Sequence, residues 1–122
     1  MLTMVLIISV MTIDPVASSA YTVDDDQLLT CTVTNLREAA TISWDTDTAG
    51  VSFAPGSEYT PGAFDNGEQE SVLTVSTAKI GALNTASSNS AHAINCKIAV
   101  GDPVKEYSET ATLNVYIPGR SL

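Results

Sequence analysis

The chain has 122 residues, 44% of them hydrophobic, which suits one domain with one core. Fourteen acidic against five basic residues give a net charge of -9 at pH 7, a sign that repels phosphate backbones and anionic headgroups, so nucleic acid is not an expected partner. The longest apolar run, residues 2–11, is too short to span a bilayer, and no membrane insertion is expected within the chain.

Residues 1–20 admit two readings. The run at 2–11 followed by Ser18, Ser19 and Ala20 has the form of a signal peptide's hydrophobic region and cleavage site, although no positive charge precedes it. Alternatively residues 11–17 form a first strand, since Ile13 and Pro15 suit an edge where the proline's missing N–H costs nothing; residues 1–10 are then a truncated leader or an extension. Further along, apolar and polar residues alternate with period two, which buries one set of side chains and solvates the other. Leu29, Cys31 and Val33 share a face, then Ala40, Ile42 and Trp44, then Val51 and Phe53, then Leu73 and Val75. Residues 78–88 contain Gly81, Asn84 and a Ser/Thr tail without a helical apolar stripe. A loop with one helical turn is expected there, with residues 82–91 the most mobile internal segment. Ile94, Cys96, Ile98 and Val100 resume the alternation, and Leu113 and Val115 close it. Turn signals at 24–26, 55–57, 60–62, 64–68 and 101–103 separate these runs. Short strands so punctuated predict an all-β fold of two antiparallel sheets.

Little in the chain suggests catalysis. His92, the single histidine, lacks a second histidine or a cysteine pair to share a metal, and no Gly-x-Ser-x-Gly elbow or phosphate-binding loop is present. It reads as a residue at the start of a strand, partly in solvent; neither an enzyme nor a cofactor or metal is expected. Asp24, Asp25 and Asp26 would gather calcium only if further oxygens converged on them, and read first as a solvated turn. Asp65, Asn66, Glu68 and Glu70 form a second acidic group around Asn66–Gly67, a hairpin-turn signal. Phe53, Tyr59 and Phe64 close an end of the sandwich, or serve as contacts in the case of Tyr59 and Phe64. Tyr107 and Tyr116 read as structural.

Cys31, Trp44 and Cys96 occupy the inward parity of three separate strands, and with the segments at 73–75 and 113–115 they match strands B, C, F, E and G of a known pattern. In these residues the chain resembles the immunoglobulin superfamily over residues 11–117, with 118–122 a linker. The similarity is to domains of invertebrate cell-surface or secreted recognition proteins. It implies a Greek-key β-sandwich, a Cys31–Cys96 disulfide, and Trp44, Leu73 and Val75 in the core around it. Two buried free thiols in a reducing compartment are the alternative; a bridge implies an extracellular or cell-surface location. The chain departs from the family at Ser90 and Ile94, where an aspartate and the corner tyrosine usually stand, and in a longer E–F connection. The short span between Trp44 and Leu73 and the absence of a Phe-Gly-x-Gly bulge suggest an intermediate (I-set) or C2-like domain.

By resemblance the expected function is non-catalytic protein recognition, in adhesion or immune-type binding. A structural spacer in a multidomain extracellular or muscle-type protein is the alternative, and a carbohydrate-binding accessory domain is a third reading. Parity puts Thr41, Ser43, Asp45, Asn95, Lys97, Ala99, Ser108 and Thr110 on the outer face of the C-F-G sheet. Loops at 35–38 and 101–105 border that face with Leu36, Arg37, Asp102, Pro103, Val104 and Lys105. Arg37, Lys97 and Lys105 thus gather on or beside one face of an acidic domain, which suits an acidic or self-complementary protein partner, a second copy included.

Overall fold

The period-two alternation becomes strand in every run but one: Val51 and Phe53, expected on a strand of their own, lie in the irregular crossover between residues 46 and 69, where the Pro55–Gly56 turn leaves no length for a paired ladder. The computed structural model describes residues 10–14, 26–60, 62–86, 91–101 and 103–115. Strands β1 (Val10–Asp14), β2 (Gln27–Thr34), β3 (Thr41–Thr46), β4 (Gln69–Val75), β5 (Ala91–Val100) and β6 (Lys105–Asn114) pair into two antiparallel sheets. One has the order β1-β2-β4 and the other β3-β5-β6. The chain therefore changes sheet after β2, after β3 and after β4, which gives the A-B-E and C-F-G arrangement of an immunoglobulin-like Greek-key sandwich. The first strand, expected over 11–17, is described over 10–14 and so takes in Val10; it is an edge strand, with Ile13 opposite Cys31 and buried. Of the leader or extension read over residues 1–10, all but Val10 lies outside the described residues, as do residues 15–17 of the expected strand.

The two inner faces supply the core. Leu29, Cys31 and Val33 of β2 and Leu73 and Val75 of β4 meet Ile42 and Trp44 of β3, Ile94, Cys96 and Ile98 of β5, and Ala111 and Leu113 of β6. Phe53 and Tyr59, from the crossover between β3 and β4, are buried as well, whereas Phe64 is exposed. That crossover also guards the open edge of β4. Tyr59 bridges to Leu73, Thr74 N donates to the Glu58 carbonyl, and at Gly62 (φ +74°) a Cβ would overlap the Glu70 carbonyl. Only glycine permits so close an approach with that backbone.

Among the described residues, three ties between the sheets stand out. Cys31 and Cys96 form a disulfide with their Cα atoms 6.4 Å apart. Ser71 is the register partner of Cys31, and Trp44 is the register partner of Cys96. These two neighbours are themselves joined, because Trp44 Nε1 donates to Ser71 Oγ at 2.9 Å and Ser71 Oγ donates to the Thr60 carbonyl. A covalent and a hydrogen-bonded tie therefore run side by side through the gap. The third is Gln69, whose buried amide takes the Ala40 N–H at 2.9 Å and donates to the Ala40 carbonyl at 2.8 Å. Every polar atom in these ties has a partner, as burial requires.

One expectation is overturned between β4 and β5. Residues 77–86 form a helix, α1 (Thr77–Ala86), where a loop with one helical turn was expected; residues 87–90 lie outside the described residues. Ile80 and Leu83, three apart on one face, are fully buried and plug an end of the sandwich. Ser76 caps the helix by accepting from Lys79 N, and Asp26 Oδ1 accepts from Thr77 N at 2.9 Å. Burial and capping outweigh the poor propensity of Gly81 and Asn84. Lys79 adds an anchor to the crossover: its Nζ donates to the Ser52 carbonyl, lies 3.7 Å from Glu58 and sits over the Phe53 ring.

Candidate functional site

Three connections build a pocket with Leu36, Asn66, Gly67 and Gly101 in its wall. The β2–β3 loop opens at Asn35, whose φ of 62° lies in the left-handed region that asparagine tolerates. Asn66 and Gly67 (φ 52° and 83°) form a two-residue hairpin turn across which Asp65 and Glu68 exchange both backbone hydrogen bonds at 2.9 Å. Leu36 N donates to the Gly67 carbonyl at 2.9 Å, which fastens the loop to the turn. A Cβ on Gly67 would sit 3.3 Å from the Leu36 carbonyl, a tight approach, and its φ of 83° independently favours glycine. The β5–β6 connection supplies the remaining wall.

The pocket has a volume of about 760 Å³, within the range of ligand and anchor-residue sites. Val100, Pro103 and Tyr107 give it apolar surface, Leu36 stands in its wall as a core residue only 6% exposed, and Arg37, Lys105, Glu38 and Glu68 line it with both signs of charge. Four residues expected at a partner site, Leu36, Arg37, Pro103 and Lys105, are thus brought together. Val104, between two lining residues, is 65% exposed. Asp102 lies outside the described residues. Glu68 and Asn66, expected only as a turn, and Tyr107, expected to be structural, also line the pocket. Asn66 and Glu68 are brought in by the Leu36–Gly67 bond, for which the sequence carries no local signal, whereas Tyr107 reaches the pocket from β6.

Lys97 stands apart. It projects from the outer face of the β3-β5-β6 sheet, pairs with Asp45 Oδ2 at 2.7 Å, and borders a smaller depression of about 280 Å³ with Ser43 and Glu106. Asn95, expected to face outward, is nearly buried there: its Nδ2 donates to Asp45 at 2.8 Å and Asp47 at 2.9 Å, and Thr110 Oγ1 donates to its Oδ1 at 2.7 Å. Partial burial opposes ionisation of Asp45, but the hydrogen bonds from Lys97 and Asn95 and the Lys97 charge outweigh it, holding this carboxyl below its ordinary pKa. The same bond and charge raise the pKa of Lys97.

Other candidate groups have structural roles. His92, expected to lie partly in solvent, is buried at 3% exposure with Nδ1 2.6 Å from Thr48 Oγ1, because its parity on β5 is inward. Asp26 caps α1, while Asp24, Asp25 and Tyr116 fall outside the described residues. Among the described residues no group of three or more His, Cys, Asp or Glu is placed to hold a metal, and no helix is long and apolar enough to cross a membrane. No family model and no curated protein matches the chain.

Proposed function

We propose that this domain is a non-catalytic recognition module of a cell-surface or secreted protein, of intermediate or C2-like immunoglobulin type, and that it grips a protein partner at the three-loop pocket. The observation that carries the reading is the pocket itself: about 760 Å³ of mainly apolar space, rimmed by charged groups and braced by a backbone hydrogen bond. An apolar centre with a polar rim is the usual composition of a protein interface. The disulfide suits an oxidising compartment, which supports the extracellular or cell-surface location.

The test is a binding screen with the tetramerised domain against cell types and purified ectodomains, beside an Arg37→Glu/Lys105→Glu variant. The variant is expected to lose at least about tenfold in binding with an almost unchanged melting temperature. Binding that survives the double reversal moves the site to the β3-β5-β6 face or to the opposite sheet. A domain that binds nothing across the screen favours the spacer reading.

A further inference from the structure

We propose that the occupant of this pocket is the Val104 tip of a second copy of the chain, so that two domains meet about a two-fold axis at their loop ends. The inference rests on the pocket being the partner site. Val104 is the most exposed of the large apolar side chains in the described residues, at 65%, and does not itself line the pocket although both its neighbours, Pro103 and Lys105, do. An apolar hollow and an exposed apolar knob therefore stand side by side, the loop at 101–105 carrying the knob and part of the hollow's wall. An isologous contact satisfies both at once, since each copy offers the knob that the other's hollow receives.

The charges lead to the same geometry. With Val104 inserted, the adjacent Lys105 is carried to the partner's rim, where Glu38 and Glu68 stand, and symmetry repeats the contact on the other side. Two chains of net charge -9 repel each other at long range. That repulsion is least where both signs are present, and the pocket lining carries two cations and two anions in Arg37, Lys105, Glu38 and Glu68. The Leu36–Gly67 bond fixes the rim beforehand, so little ordering opposes the contact. Three loops offer a contact at the small end of specific interfaces, and the dimer is accordingly weak.

Sedimentation equilibrium of the 122-residue chain at physiological salt reads this directly. A reversible monomer–dimer equilibrium is expected between roughly 10 µM and 1 mM. Val104→Asp should weaken it at least about tenfold. Lys105→Glu alone and Glu38→Lys/Glu68→Lys alone should each do the same, and an equimolar mixture of these two variants should recover dimer, because each rim then meets its opposite charge. Circular dichroism melting accompanies each variant, and a native melting temperature shows that lost association is not lost folding. A native chain that stays monomeric to about 1 mM, a Val104→Asp chain that dimerises as before, or a mixture that fails to recover dimer overturns the inference. If the native chain stays monomeric yet still binds in the ectodomain screen through Arg37 and Lys105, only the second-copy occupant falls and the recognition site stands.

Discussion

Trp44 serves the core in two ways, through its ring and through its indole N–H. Truncation to alanine should cost about 3–5 kcal/mol in chemical denaturation, because a large cavity opens at the centre of the sandwich. Trp44→Phe keeps most of the apolar volume but leaves Ser71 Oγ without its donor, and should cost about 1–3 kcal/mol. A change below about 1 kcal/mol for the alanine variant would place the ring outside the core. Asp45 supports a pH prediction. Its folded pKa is lowered, so the stability it contributes is present above its ordinary value of 3.8 and disappears as pH falls through the folded value. Asp45→Asn should therefore flatten the acid limb of the stability curve below about pH 4 while changing stability at neutral pH little, since the pair is well exposed. Identical acid limbs for native and variant would sink this assignment.

At the scale of elements, α1 shows what the strand pattern conceals. The strands were legible because every second residue is apolar: Leu29-Cys31-Val33 and Ile94-Cys96-Ile98 announce their buried face within a few residues. The helix announces little, since Ile80 and Leu83 are its only buried residues and Gly81 and Asn84 speak against it. What holds it is non-local, a bond from Thr77 N to Asp26 and the open end of a sandwich to fill. Leu83→Ala should accordingly cost about 2–5 kcal/mol, against about 1 kcal/mol for loss of the Ser76 cap, both measured by urea unfolding. A Leu83 cost no larger than the cap's would mean that the helix merely rests on the surface. The candidate site divides in the same way. Leu36, Arg37, Pro103 and Lys105 follow once the strands fix which loops are neighbours. Glu68 joins them through a contact between distant turns, and Lys97 leaves them because its position on β5 puts it beside Asp45.

For the whole molecule, the disulfide closes a loop with a sequence separation of 65, and the chain-entropy model assigns it about 4 kcal/mol. Reduction should lower stability by an amount of that order. Native protein should show no alkylatable thiol before reduction and two after; two reactive thiols at the outset would remove the bridge. Because the Trp44–Ser71 tie runs beside it and does not depend on it, the reduced chain is expected to remain folded under mild conditions with a lower unfolding midpoint.

The pairing of Trp44 with Cys96 has an optical consequence. The chain has one tryptophan, on the inward face directly opposite a bridged cysteine, at a separation set by strand pairing. A disulfide at that range accepts an electron from the excited indole, so emission from the native domain should be dim and, because the ring is buried, blue. Reduction that leaves the fold intact should brighten it without moving the maximum, whereas unfolding should shift the maximum to the red. Intensity then reports the state of the bridge and wavelength the state of the core, and a single unlabelled residue distinguishes a reduced domain from an unfolded one.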